Sequence, residues 1–348
     1  MPARHDNSFD ALRLIGAVFV IVGHAYVLLG RLGEWPQVLG IDIHVLGVSL
    51  FFVISGYLIW GSWHRNRALV DYFSARLLRL LPALFLVILV TTFLLGPLVT
   101  TLSLGQYLAS GETWNYLRNL YLFQPQYELP GVFETLPYPN VVNGSLWTLR
   151  AEFAVYVLVP LIGLLPRVLR APALALFTVA SALVGLASTV EIGGSNLSAA
   201  AAMWAFFGVG ALARMIRETG LQIFRPWFAA AVAALWWLAY AAVPQLGDAY
   251  AFVALPYIVL TIGTWSLPVV RRAARFGDLS YGMYLWAFPI QQLLIQYVGW
   301  SSVWLNILVV TVLSALLALP TWHLIEKRAL AMRFRPGNWL RARTARPL

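Results

Sequence analysis

The stretch RLIGAVFVIVGH, from Arg13 to His24, decides the fold of this chain. It is an apolar run with one ionisable side chain at each end. In a helix that turns about 100° per residue, eleven steps bring the second side chain to within roughly 20° of the first, so both project from one face. At about 1.5 Å per residue, His24 lies about 16 Å beyond Arg13, near the middle of a hydrocarbon core about 30 Å thick. The stretch therefore predicts a transmembrane helix with a titratable ring at mid-depth.

The composition extends this prediction to the whole chain. Of its 348 residues, 60% are hydrophobic and 11% are charged, which is too little polar surface to coat a soluble protein of this size. We expect an all-α fold, a polytopic transmembrane helical bundle that forms a single domain over residues 1–348, with about ten spans. The predicted spans are residues 11–30, 44–60, 80–99, 145–165, 172–190, 197–213, 227–243, 251–270, 279–298 and 304–325.

The basic residues predict the orientation of these spans. Lys and Arg accumulate in short cytoplasmic loops. If both termini are cytoplasmic, all of the 24 basic residues except Arg31, Arg118 and Arg150 lie inside, and one span more or less would destroy this partition. The net charge of +10 then reflects the orientation of the spans in the membrane, so binding to nucleic acid is not needed to explain it. Residues 327–348 are predicted to form a basic cytoplasmic tail on the inner leaflet of the bilayer.

The loop of about residues 100–143 is predicted to lie outside, and it combines aromatic rings with carboxylates. Such residues suit a sugar-binding surface, and the aromatic rings equally suit anchoring at the membrane interface, so both interpretations stay open. The residues concerned are Tyr107, Trp114, Tyr116, Tyr121, Tyr127, Tyr138, Glu112, Glu128 and Glu134. The chain has no cysteine and none of its five histidines has His-x₃-His spacing, so no metal site is predicted.

Five segments of the chain, taken in order, resemble the integral-membrane acyltransferase-3 family, which includes bacterial O-antigen and exopolysaccharide O-acetyltransferases. The first contains the family's Arg-x₁₀-His pattern, the third its Arg-x-x-Arg and the fourth its Ser-Leu-Trp-Thr-Leu-x-x-Glu. The segments are FDALRLIGAVFVIVGH at Phe9–His24, LFFVISGYLI at Leu50–Ile59, ARLLRLLPAL at Ala75–Leu84, SLWTLRAEF at Ser145–Phe153 and LSYGMYLWAFP at Leu279–Pro289. The chain departs from the family where it has Ser49 for an acidic residue, Ala287 for a histidine and Arg328 for a proline.

The resemblance implies transfer of an acyl group, usually acetyl, from coenzyme A in the cytoplasm to a hydroxyl group of a cell-surface or periplasmic glycan. It implies a protein of the bacterial inner membrane, with acyl-CoA as the donor substrate, no permanently bound cofactor, and a glycan or lipid-linked saccharide as the acceptor. The alternative is a polytopic transporter of a lipid-linked saccharide or an anionic metabolite, because transporters also place polar residues at mid-depth. The sequence leaves the oligomeric state open.

Two catalytic residues are predicted, His24 and Glu152. Attack by a hydroxyl group on a thioester needs a base, and imidazole suits that task near neutral pH. His24 is therefore either the base or a nucleophile that carries the acyl group. Glu152 shares a helical stripe with Ser145, Thr148 and Tyr156, and a carboxylate at that depth needs a partner inside the bundle. That partner is His24, or else Arg13 or a tyrosine.

Arg76 and Arg79 lie one turn apart at the cytoplasmic mouth of the predicted third span. Guanidinium groups there are able to bind the phosphates of coenzyme A through forked hydrogen bonds, and Arg13 is a third candidate for this role. The accumulation of basic residues on the cytoplasmic side of a membrane protein also explains these arginines without any ligand. Other polar and aromatic side chains are predicted to line the site or to lie directly behind its lining. They are Ser55, Tyr57, Ser145, Trp147, Thr148, Tyr284 and Trp286. Gly56 allows close approach by either a cofactor or a neighbouring helix.

Overall fold

The computed structural model of the protein describes residues 8–187, 191–192, 195–265, 277–299 and 302–332, and this part of the chain is almost entirely helical. The longer helices are α1 (Phe9–Leu28), α2 (Ile43–Arg65), α3 (Leu69–Val90), α7 (Trp147–Gly163), α8 (Arg167–Leu186), α9 (Leu197–Glu218), α10 (Pro226–Ala242), α11 (Pro244–Thr264), α12 (Ser280–Val298) and α13 (Val303–Pro320). The shorter ones are α4 (Gly96–Val99), α5 (Leu104–Ala109), α6 (Gly111–Asn115) and α14 (Lys327–Ala331).

Short non-α segments and two small hairpins complete the fold. π-helical turns join α3 to α4 and α13 to α14, and 3₁₀ turns lie in the loop before α7. The π turns are Thr91–Leu95 and Thr321–Glu326, and the 3₁₀ turns are Tyr116–Tyr121 and Gly144–Leu146. The hairpins are antiparallel pairs of two-residue strands, β1 (Gln37–Val38) with β2 (Ile41–Asp42) and β3 (Glu191–Ile192) with β4 (Ser195–Asn196).

The helices form a multi-pass membrane bundle. Within the described ranges, eight helical segments are long and apolar enough to cross a bilayer. Two of the predicted spans fall on helices outside that group, α10 with 17 residues and α12 with 19. The count of ten spans and the cytoplasmic location of the termini stay predictions. Of the basic residues that indicate the orientation, Arg4, Arg271, Arg272, Arg275 and those of residues 333–348 lie outside the described residues.

Helix α12 carries several polar side chains and is enclosed by protein along most of its length. Its inward-facing polar side chains include Gln291 and Gln292, both fully buried. Gln291 donates to Oδ1 of Asn306 at 2.9 Å, and Gln292 donates at 2.9 Å to the backbone carbonyls of Tyr138 and Val141. A helix that contacts other helices on every side does not need an apolar surface toward lipid. Its low hydropathy is therefore compatible with a position at the centre of the bundle.

Two pairs of helices approach closely through glycine. A Cβ atom added to Gly16 of α1 would lie 2.9 Å from the carbonyl oxygen of Gly47 in α2. A Cβ added to Gly56 would overlap the carbonyl oxygen of Phe207 in α9. Small residues at such crossings let the backbones of membrane helices pack directly. For Gly56 the structure thus decides between the two open interpretations, in favour of helix packing.

The helix that carries the arginine pair begins earlier than its apolar part. The predicted third span began near residue 80, whereas α3 starts at Leu69 and continues through the π turn to Val99. Apolarity marks only the part of a helix that lies in hydrocarbon, and the first turns of α3 are amphipathic. Arg76 and Arg79 therefore lie on a regular helix, with a fixed spacing of one turn between them.

The loop between α4 and α7 is a folded cap. Tyr107 and Tyr116 are completely buried in it, and the Tyr107 hydroxyl donates to the backbone carbonyl of Thr92 at 2.8 Å. Burial, partly offset by a hydrogen bond with Thr113, raises the pKa of Tyr107 to about 12. These two rings are enclosed by protein and present no surface to solvent or lipid, while Trp114 and Tyr121 are exposed. The open question about sugar binding or interface anchoring thus concerns the exposed aromatic residues.

Candidate active site

A cavity of about 760 Å³ lies between α1, α2, α3, α7 and α12. Ligand pockets in proteins commonly have volumes of about 300–1,000 Å³, so a substrate-sized molecule fits. At one end its wall includes Arg65, the exposed last residue of α2, and at the other it includes Phe51, Thr148 and Tyr284. The cavity therefore runs from the end of the bundle that carries the arginines toward its middle.

The cavity gathers seven of the predicted site residues from five helices. These residues are far apart in sequence, and helix packing brings their side chains around one cavity. They are Arg13, Ser55, Arg76, Arg79, Thr148, Glu152 and Tyr284. The sequence thus identified the polar part of this cavity, although it did not show which of these side chains bind each other.

Glu152 has a tyrosine partner. The hydroxyl group of Tyr156, one turn further along α7, donates a short hydrogen bond to its carboxylate. The backbone carbonyl of Tyr156 accepts a hydrogen bond of 2.9 Å from Tyr72 of α3. Of the three partners considered from the sequence, the structure shows the tyrosine. Glu152 is therefore held on the cavity wall at a defined position.

The two arginines of α3 differ in what they contact. Arg79 donates to Asp278 at 2.5 Å and to Glu326 at 3.1 Å, so two carboxylates occupy its fork. Arg13 lies 3.8 Å from the same oxygen of Asp278. Arg79 is thus the centre of an ion-pair cluster that ties α1, α3, α12 and the π turn after α13 together.

Asp278 lies just before α12, and its charge is stabilised by this cluster. Burial acts to raise its pKa, but the neighbouring Arg79 and Arg13 outweigh burial, and Ser280 adds a hydrogen bond of 2.7 Å. The pKa of Asp278 is therefore below its usual value of 3.8. The cluster therefore contains an ionised Asp278 that pairs with two arginines of the cavity wall, Arg13 and Arg79.

Arg76 points its guanidinium group toward the cavity. Its group lies 6.0 Å from the centre of the Tyr156 ring. Its Nε atom is buried and has no hydrogen-bond partner among the described residues. Because an unsatisfied guanidinium nitrogen is costly in a buried place, Arg76 is the arginine of the pair that is available to an anionic ligand.

His24 lies past the inner end of the cavity, next to an aromatic ring. Phe51 and Tyr284 pack edge to face at the end of the cavity, with ring centroids 5.9 Å apart. Phe288 is one turn further along α12, and its ring centroid is 5.2 Å from that of His24. His24 is not one of the described residues that line the cavity. We call Phe51, Tyr284 and Phe288 the aromatic layer: the first two line the same cavity as Glu152, and the third contacts His24, which does not line it.

Four other predicted residues do not line the cavity, and three of them have contacts elsewhere in the bundle. The backbone carbonyl of Ser145 accepts a hydrogen bond of 2.9 Å from Tyr284. The indole of Trp286 donates to Oγ1 of Thr321 at 3.1 Å. Tyr57 packs under Arg214, whose guanidinium carbon is 5.3 Å from the ring centre. In the described part of the chain, none of Tyr57, Ser145, Trp147 and Trp286 lines the cavity.

Besides Arg65 at the cavity mouth, three residues of the site were missed from the sequence: Asp278, Glu326 and His44. His44 is the first-turn histidine of α2, and its ring centroid is 6.2 Å from that of His24. Ionisable groups are rare in an apolar chain, and each one inside a bundle marks a candidate site. With 14 acidic residues and five histidines in the chain, a search for those that flank apolar runs would have found all three.

Comparison with known proteins identifies the class. The acyltransferase-3 family, described as "Acyltransferase domain", matches residues 6–323. The chain is 31% identical to "Nodulation protein 10" of Rhizobium leguminosarum bv. viciae, an alignment that covers 94% of each protein. It is 29% identical to the "O-acetyl transferase" of Shigella phage Sf6, over 93% of this chain and 96% of that protein. No solved structure matches the chain. The chain belongs to the acyltransferase-3 family, which confirms the resemblance noted in its sequence.

Proposed function

We propose that this protein is a membrane O-acyltransferase that moves an acyl group, acetyl in the simplest case, from cytoplasmic acyl-CoA to a hydroxyl group of a glycan. The observation that carries the proposal is the cavity that begins among arginines and ends at the aromatic layer next to His24. The name of the phage relative, an O-acetyl transferase, supports acetyl as the group and oxygen as the acceptor atom.

The donor enters from the arginine end of the cavity. Its phosphates bind Arg76, whose Nε atom has no partner in the described structure, together with the exposed Arg65. The pantetheine arm extends along the wall past Ser55 and Glu152 toward the aromatic layer. Arg79 is committed to Asp278 and Glu326, so its contribution is to hold the wall in place.

The acyl group reaches His24 when the rings of the aromatic layer turn aside. The acceptor oxygen then attacks the acyl carbon, the carbon–sulfur bond breaks, and coenzyme A leaves as a thiolate. His24 takes the hydroxyl proton and passes it to the thiolate, so that free thiol is the second product. In the variant with a covalent intermediate, His24 first attacks the thioester, the carbon–sulfur bond breaks, and the coenzyme A thiolate leaves behind an acyl-imidazole. The acceptor oxygen then attacks the acyl carbon, the carbon–nitrogen bond breaks, and the hydroxyl proton passes to the released imidazole of His24.

The experiment uses the purified protein in liposomes with radiolabelled acetyl-CoA and a panel of methyl glycosides and short oligosaccharides. We expect label on a glycoside and an equal amount of free thiol. His24→Ala is expected to abolish transfer, whereas His64→Ala, a change of the same type at the exposed end of α2, leaves it intact. Transfer by His24→Ala at the wild-type rate would contradict the assignment. Label that crosses the bilayer on intact coenzyme A would support the transporter instead.

A further inference from the structure

A second polar cluster lies on the His24 side of the aromatic layer. His24 of α1, His44 of α2 and Trp35 of the segment before β1 meet there. The ring centroids of His24 and His44 are 6.2 Å apart, and the Trp35 and His44 rings meet edge to face at 5.6 Å. These side chains come from three segments of the chain, so only the tertiary fold brings them together.

Each member of this cluster has a buried polar atom without a partner. Nδ1 of His24, Nδ1 of His44 and Nε1 of Trp35 are all inaccessible to solvent, and none makes a hydrogen bond to any described residue. Buried polar atoms in proteins are nearly always hydrogen bonded, and a histidine with a purely structural role is normally satisfied by a backbone carbonyl. Three unsatisfied nitrogens in one place therefore mark hydrogen-bonding capacity that the described protein groups do not use.

A glycine in α1, Gly23, allows His44 to lie close to that helix. Gly23 precedes His24, and a Cβ atom at that position would lie 2.6 Å from Nδ1 of His44. The same Cβ would lie 2.5 Å from Cβ of His44, so any larger residue would push the whole His44 side chain away from α1. The glycine thus keeps the second imidazole beside the first.

We propose that His44 and Trp35 bind the acceptor hydroxyl group of the glycan and hold it against His24. The chemistry fits an alcohol, because a hydroxyl group is both a donor and an acceptor, an imidazole nitrogen offers either role, and the indole N–H is a donor. Two hydrogen bonds of about 2.8 Å through one shared oxygen atom are compatible with the separation of the two imidazole rings. The indole also offers an aromatic edge to a sugar ring.

This inference rests on the proposed function and goes beyond it, since it assigns the acceptor site to two residues outside the donor cavity. Neither Trp35 nor His44 is among the described residues that line that cavity. In this arrangement donor and acceptor approach His24 from opposite sides of the aromatic layer. His44 positions the hydroxyl group, and the proton still passes to His24.

The test compares His44→Phe, which keeps a ring but removes both nitrogens, with His64→Phe on the same helix. The acceptor is the methyl glycoside that the wild-type protein acetylates fastest. We expect kcat/KM for that acceptor to fall by about tenfold or more in His44→Phe, the effect of losing one hydrogen bond to a bound substrate. The donor KM is expected to stay within about twofold of wild type.

Two further variants make the outcome decisive. Gly23→Ala displaces the His44 side chain without removing a polar atom. Trp35→Phe removes the indole N–H together with part of the aromatic surface. Both variants are expected to show the same selective loss toward the acceptor. An unchanged kcat/KM for the acceptor, or an equal loss of kcat/KM for donor and acceptor, would overturn the inference. If His44→Phe does not fold, Trp35→Phe decides by the same criterion. Absence of transfer by the wild-type protein would refute the proposed function itself, which separates the two failures.

Discussion

The ion-pair cluster around Arg79 provides the sharpest stability prediction. Asp278→Asn removes one carboxylate from the guanidinium group and keeps the size of the side chain. The side chains of Arg79 and Asp278 are only 20% and 15% exposed, so solvent screens their interaction weakly. Removing one partner of a buried pair costs about 3–5 kcal/mol. Because Glu326 still binds Arg79 at 3.1 Å, we expect Asp278→Asn to lower the free energy of unfolding by an amount near the lower end of this range, about 3 kcal/mol.

The pH dependence of this loss has a definite sign. The pKa of Asp278 in the folded protein lies below its usual 3.8, so its carboxylate stabilises the fold fully above the unfolded value and loses that effect as the pH falls through the folded value. The part of the stability difference that comes from the Asp278 charge is therefore fully present above the unfolded pKa and shrinks as the pH falls below it.

The assay is equilibrium unfolding in mixed micelles with increasing dodecyl sulfate, followed by tryptophan fluorescence between pH 3 and pH 7. Asp248→Asn is the matched control, because Asp248 is exposed, and it should behave like wild type. A loss below about 1 kcal/mol at pH 7, the size typical of a surface ion pair, would refute the reasoning. A loss of the same size at every pH would refute it as well.

Two further predictions concern the donor site and the packing of the bundle. Arg76→Lys keeps the charge but loses the fork, so the donor KM is expected to rise about tenfold, while Arg118→Lys, an exposed change in the cap, has no effect on it. Gly56→Ala places a methyl group against the backbone of α9 at Phe207, which should destabilise the protein by about 1–3 kcal/mol in the same unfolding assay. Gly105→Ala, where no described atom lies within 4 Å of the added Cβ, is its control, and equal stability of the two variants would contradict the packing argument.

Much of the site could be predicted because its residues stand out in an apolar chain. Arg13, Arg76 and Glu152 were identified from their position in apolar segments, and each lines the cavity. Their contacts could not be predicted in the same way. The partner of Glu152 depends on how far α7 is rotated, and the sequence left His24, Arg13 and a tyrosine equally possible.

The contacts within the ion-pair cluster could not be predicted either, because its members are far apart in the sequence. Arg79 is separated from Asp278 by 199 residues and from Glu326 by 247. Periodicity within one helix says which face is polar, but it does not say which other helix that face meets. The sequence therefore offered Arg79 as a phosphate ligand on equal terms with Arg76, whereas the structure shows it bound to two carboxylates.

The sequence by itself determined that this chain is a helical membrane protein of the acyltransferase-3 family, because apolar length and short motifs are local properties that each segment carries alone. Only the tertiary structure decided that Glu152 and Arg76 share one cavity and that His24 lies past the aromatic layer, next to His44. The physical reason is that a buried polar group must find its partner wherever helix packing places one, and the crossing and rotation of helices depend on contacts along the whole bundle.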